Sequence, residues 1–136
     1  MIDKLAAGQP IQELRAEPTA ISLFRFSAVT WNPHRIHYDA AYAATEGYSG
    51  ALVQSHLHGA FILECVLRWA PPESRLSSFS WQNRGPAIAG TTLTVRGSIE
   101  SVEGRLVTCV LEEANEDGAL CATGRATLEL KEGPTS

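Results

Sequence analysis

From Leu52 to Ala70 apolar side chains fall at nearly every helical phase: Leu57, Ala60, Phe61, Leu63, Val66, Leu67 and Ala70. A helix apolar on almost all sides packs inside a domain rather than along its surface. Pro71-Pro72 ends it, and the spacing predicts the central helix of the fold. Beyond it the period changes from 3.6 to 2. Leu76 to Arg84, Leu93 to Val102, Arg105 to Ala114 and Leu120 to Leu130 alternate as strands do. Gly85-Pro86 with Gly90, then Glu103-Gly104, then Asn115 to Gly118 separate them. The last two separators are short hairpin signals and predict an antiparallel meander for the last three strands.

Ahead of the central helix the pattern is shorter and more broken. Gln12 to Arg15 reads as a short first strand, stopped by Glu17-Pro18. Thr19 is placed to cap a helix over Ala20 to Thr30, where Ile21, Phe24 and Ala28 recur at three and four. Asn32-Pro33 breaks that helix, and Asp39 can cap another over Ala40 to Thr45. Glu46 to Gly50 is a loop, and residues 1–9 and 132–136 are expected to be loose ends. One buried helix with antiparallel strands makes an α+β domain, expected to occupy all of 1–136 as one unit.

Composition narrows the function classes. With 136 residues, 44% hydrophobic and 19% charged, the chain is long enough to bury a core and is not a disordered composition. Its eleven basic residues are scattered within a net charge of −4, which leaves no phosphate-tracking patch for a nucleic acid. The opening MIDKLAAGQP lacks the apolar run of a signal peptide, and no stretch reaches membrane-spanning length. Cys65, Cys109 and Cys121, odd in number and widely spaced, form neither a disulfide framework nor a zinc pattern. They read as buried thiols, and the cytoplasm is the expected compartment.

Titratable and turn residues crowd into Phe24 to His58, which holds all four histidines. Asn32 and His37 stand five apart across a proline turn. An imidazole can take and return a proton near neutral pH. A carboxamide can only hold a water or hydroxyl. The same two residues could equally cap and staple the turn. His34, next to Arg35, is expected to be structural, and Asp39 to cap a helix or orient His37. His56 and His58, two apart on a helix, do not share a face, so a metal site through them is not expected; a pair would need four. The first amides of the central helix, near Ser55 and His56, lack internal acceptors and could steady a carbonyl oxygen that gains charge; alternatively Ser55 caps them. No nucleotide-binding glycine loop, nucleophile elbow, CxxC or HExxH motif is present.

The strings FRFSAVTWNPHRIHYDAAYA, YSGALVQSHLHGAF, FSWQNRGPAIAG and CATGRATLEL resemble the MaoC-like (R)-hydratase family. The likeness is to its branch of type 2 hydroxyacyl-thioester dehydratases and mesaconyl-CoA-type hydratases. It runs from about Thr19 to Leu130, and the block from Phe24 to Tyr42 is its most specific part. The resemblance implies a hot-dog fold, an antiparallel sheet wrapped around one long central helix. It also implies reversible hydration of a 2-enoyl thioester carried by coenzyme A or acyl carrier protein, with no cofactor. Domains of this kind pair through their sheets, so a homodimer or a hetero-oligomer with another hot-dog subunit is implied.

Laid on the family motif Gly-Asp-x-Asn-Pro-apolar-His, His37 takes the place of the catalytic histidine and Asn32 that of the aspartate. The family's His-Gly at the helix start, whose glycine amide binds the thioester carbonyl, falls without gaps on Gln54-Ser55; His58-Gly59 repeats the pair one turn later. The resemblance thus implies His37 and Asn32 as catalytic residues and Gln54, Ser55 and His56 as the substrate-binding ones. Carrier phosphates would need basic residues, for which Arg25, Arg35, Arg68, Arg75 and Arg84 are available. Hot-dog domains also support thioester hydrolysis, for which Glu64 on the central helix is the carboxylate at hand, and accessory roles beside a catalytic partner.

Overall fold

The structure, a computed structural model, describes residues 5–131; the ends expected to be loose fall in part outside them. Strand β1 (Leu14–Ala16) precedes helix α1 (Ala20–Thr30), a 3-10 turn over Arg35–His37 and helix α2 (Ala40–Thr45). Helix α3 (Ser55–Trp69) then leads into strands β2 (Arg75–Asn83), β3 (Leu93–Glu103), β4 (Leu106–Ala114) and β5 (Leu120–Glu129). The strands form one antiparallel sheet in the order β1-β3-β4-β5-β2, curled against α3 as the hot-dog architecture requires. The last three strands are the expected meander, and Gly104 turns the first of its hairpins with φ 60°. Strand β2 crosses to the far edge, where it pairs with β5 and has no other strand beside it among the described residues.

Two boundaries move, the second because backbone groups find distant partners. The first strand begins at Leu14 rather than Gln12. The central helix begins at Ser55 rather than Leu52, because Leu52 N–H donates to Ile36 O (2.8 Å) and Val53 N–H to Ala87 O (2.9 Å). Those bonds hold residues 51–53 extended.

Ile62, Cys65 and Val66 on the inner face of α3 pack on Val95, Ile99, Val107, Cys109 and Leu128. A second cluster closes the end where α3 starts, from Leu23, Ala51, Val53, Ala87, Leu93 and Cys121. Gly59 permits the close approach of helix and sheet, since a Cβ there would lie 2.7 Å from the Trp81 ring. The expectation of burial on all sides of α3 is corrected: among the described residues Leu67 is 47% exposed and Ala60 is exposed beside it, while Leu63 is only partly buried against the core. All three cysteines are free and buried, as expected. Burial pushes their thiols up, Cys109 to about 11 with Cys65 as a lesser cause, which leaves little thiolate. Among the described residues no helix is long and apolar enough to cross a membrane.

Candidate active site

The segment between α1 and α3 is built from short-range polar bonds. Thr19 Oγ1 accepts from Ser22 N–H (3.1 Å) while Ser22 Oγ accepts from Thr19 N–H (2.8 Å), a reciprocal cap that starts α1. The helix stops at Trp31, whose left-handed φ of 55° turns the chain and leaves the indole 92% exposed. Asn32 and Pro33 follow directly. Asp39 caps α2 through Tyr42 N–H (3.0 Å) and pairs with Arg35 (2.8 Å). The Arg35 bond and, after it, the Tyr42 amide hold the Asp39 carboxyl below the usual carboxylate range. Asp39 is therefore a cap and ion-pair partner, not the group that orients His37.

A backbone carbonyl orients His37 instead. Its Nδ1 lies 2.8 Å from Leu52 O. A carbonyl can only accept, so Nδ1 carries the hydrogen and Nε2 keeps a lone pair, the form a proton acceptor needs. The side chain is buried but still 9% exposed. Leu52 N–H donates back to Ile36 O, so the 3-10 turn is sewn to Leu52 on both sides. Ser55 follows three residues later, no more than about 10 Å of extended chain away. The imidazole is thus tied through Leu52 to the segment that leads into α3.

His34 is set the other way round. Its Nδ1 accepts from Ile36 N–H (3.3 Å), which caps the 3-10 turn as a structural reading expects and leaves Nε2 to carry the hydrogen. Its ring centre is 6.0 Å from that of His37, the two rings set edge to face. Asn32 makes no hydrogen bond to His37. Its Oδ1 takes a long bond from His34 N–H (3.4 Å). Asn32 also borders an apolar cavity of about 260 Å³ lined by Phe24, Ala28, Trp31, Pro33 and Tyr38.

At the start of α3 no side chain caps the helix. Gln54 O receives the amides of Leu57 (3.1 Å) and His58 (3.2 Å), while those of Ser55 and His56 have no internal acceptor. Ser55 and His56 are exposed, with the His56 ring 5.3 Å from Trp81. Gln54 turns away from that opening. It is fully buried, and its Nε2 donates to Leu23 O (2.7 Å) and Ser27 Oγ (2.9 Å) in α1. Its side chain is directed into α1, which offers it these two acceptors.

His58 points inward, as its offset from His56 predicts, and bonds through Nδ1 to Glu113 Oε1 in the core. Sequence reasoning overlooked Glu113. Its signal was phase: it continues the inward row Val107, Cys109, Leu111 on β4, where a carboxylate is out of place. Of the five arginines offered for carrier phosphates, Arg35, Arg68 and Arg75 pair with Asp39, Glu64 and Glu129. Arg25 and Arg84 form no ion pair among the described residues.

Residues 4–89 match the family model described as hydroxyacyl-thioester dehydratase type 2. The chain is 34% identical over 111 residues to mesaconyl-C(4)-CoA hydratase of Chloroflexus aurantiacus; the match covers 79% of this chain and 36% of that protein. The chain thus spans about a third of that relative's length. Among solved structures it is similar to R-hydratase PhaJ1 from Pseudomonas aeruginosa, with TM-score 0.88, 24% identity and 96% and 85% of the two chains covered. A chain of the ChsH1-ChsH2 complex from Mycobacterium tuberculosis gives TM-score 0.83, 20% identity and 94% and 99% coverage. At these identities the solved structures establish the shared fold.

Proposed function

The chain belongs to the hydroxyacyl-thioester dehydratase type 2 family of MaoC-like hot-dog hydratases and dehydratases, and from that membership we propose that it reversibly hydrates a 2-enoyl thioester carried by coenzyme A or acyl carrier protein. The observation that carries this reading is the His37 tautomer, fixed by Leu52 O so that an unprotonated Nε2 faces away from the anchor. In the hydration direction a water oxygen bonds to carbon 3 as its proton passes to His37 Nε2. The π electrons move through carbon 2 onto the thioester oxygen, which the amides of Ser55 and His56 hold. His37 then returns the proton to carbon 2, so water is added and nothing else is consumed. Asn32 holds the water or the 3-hydroxyl without moving a proton, with His34 Nε2–H close by as a further donor. One oxyanion donor is typically worth ~2.7–4 kcal/mol of barrier.

Loss of enoyl conjugation, followed over a panel of enoyl-CoA substrates of different bulk, tests the reading. His37→Ala is expected to lower turnover by roughly 10²–10⁴-fold, and a wild-type rate in that variant refutes it. Asn32→Asp decides the second role: faster turnover marks a weakened carboxylate site, slower turnover a site built around the amide. Release of free thiol in place of lost conjugation would instead point to a thioesterase. For that chemistry Glu64 is poorly placed, paired with Arg68 and nine residues past Ser55, about 13 Å along the axis.

A specific observation favours a second reading, that of a subunit completed by another hot-dog chain. Asn32 cannot transfer protons, no strand lies along the outer edge of β2 among the described residues, and Leu67 on α3 is exposed. A partner laid along β2 would cover both surfaces, as a homodimer would. Mass measurement of the chain alone and with co-encoded neighbours separates the cases. Arg25 and Arg84 are the proposed phosphate contacts. The three free thiols suit a reducing cytoplasm.

A further inference from the structure

Resting on the reaction proposed above, we propose that Gln54 and the His58–Glu113 pair are positioning residues, which tie the leading end of α3 to two different neighbours and so aim the amides of Ser55 and His56. Among the described residues two buried side-chain oxygens lack a hydrogen-bond partner, Gln54 Oε1 and Glu113 Oε2. Both belong to these anchors. Leaving a buried polar atom unpaired is costly, and folded proteins keep few of them. They concentrate where local rules give way to function.

The His58–Glu113 pair is likewise not what stability alone would select. Apolar residues at 58 and 113 would extend the row of Val107, Cys109 and Leu111, and replacing both partners of a buried hydrogen bond by apolar groups can be nearly neutral or stabilising. What the pair adds is register. Apolar contacts through Ile62, Cys65 and Val66 press α3 onto the sheet but resist sliding along the helix axis only weakly, because they are not directional. A ring-to-carboxyl hydrogen bond has one geometry. His58 also donates its backbone N–H to Gln54 O (3.2 Å), so side-chain anchor and first helical bond meet in one residue. From the other side Gln54 grips Leu23 O and Ser27 Oγ on α1. Positions 55 and 56 lie between the two grips, where a displacement of about 1 Å is enough to cost ~10²-fold in rate.

The test compares His58→Leu with Glu113→Leu as a double variant, Glu113→Gln, and Gln54→Met, each as the full chain in its natural assembly. Steady-state hydration of a short enoyl-CoA is measured together with thermal melting and ¹⁵N relaxation of the Ser55 and His56 amides. The double variant is expected to melt at or above the wild type, to lose at least tenfold in kcat with KM within twofold, and to show lower amide order at 55 and 56. Glu113→Gln, whose carboxamide oxygen still accepts from His58 Nδ1, is expected to stay within threefold of wild-type kcat. Wild-type kcat and amide order in the double variant overturn the proposal, as does a Glu113→Gln variant impaired as severely as the double. Should the double variant not fold, Gln54→Met carries the same expectation and the same power to refute. Absence of wild-type turnover on every enoyl-CoA fails the reaction reading alone. The amide order parameters then decide the positioning role by themselves.

Discussion

Residues 19–58 and residues 75–129 are held together by different means. The strands of the second region interlock by ladder bonds and bury one face by simple alternation: Val107, Cys109 and Leu111 inward, Thr108, Val110 and Glu112 outward. The first region has no ladder. Besides its helices and a short backbone pairing of residues 51–53 with 87–89, its order comes from single side chains that reach backbone groups, as Thr19, His34, His37, Asp39 and Gln54 each do. A ladder leaves few polar atoms to spare. A segment tied by side chains presents them, and the proposed chemistry belongs to that second kind of order.

If this division is right, variants in the two regions should damage different quantities. The largest expected effect is on rate: His37→Ala loses roughly 10²–10⁴-fold in turnover and only about 1 kcal/mol of stability, the worth of one hydrogen bond. The mirror image is Ile62→Ala in the packed interior, expected to cost about 2–5 kcal/mol in chemical denaturation with turnover per folded molecule within a few-fold of wild type. An Ile62→Ala protein that is stable but slow would erase the contrast. Thr19→Ala, which removes the cap of α1, should cost about 1 kcal/mol and lower turnover modestly through the Gln54 grip on that helix.

The smallest effect concerns Asp39. Its folded carboxyl titrates below the usual range because of Arg35 and then the Tyr42 amide, so its contribution is fully present above the ordinary value near pH 4. It is lost as pH falls through the depressed folded value. Asp39→Asn keeps the cap but not the ion pair. Its melting temperature should match the wild type at pH 3 more closely than at pH 6, by a margin kept small by solvent exposure of the pair. A larger gap at pH 3 than at pH 6 contradicts the assignment.

The same division governs how much could be read from residue order. Helices α1 and α2 lie where Thr19 and Asp39 place them, because a cap acts within four residues of itself. The meander followed from period 2 and two glycine turns. The start of α3 did not, since Leu52 and Val53 suit helix or strand alike and are decided by Ile36 and Ala87, far along the chain. For the same reason the anchor of His37, fifteen residues away at Leu52, was invisible although the residue itself stood out. Gln54 was misleading in a further sense: its position was found by likeness, but its side-chain direction depends on α1 and could not be. Glu113 was legible in principle, as a carboxylate in an apolar row.

The open margin of β2 makes concentration a structural variable. Its nine residues bond β5 on one side, and the N–H and C=O groups of alternate residues on the other side form a template for an extended segment. On overproduction this edge is expected to pair like chains, so the yield of dispersed material should rise when expression is slowed or the neighbour is made in step. The border that lets an assembly form is also the one that manufacture has to guard.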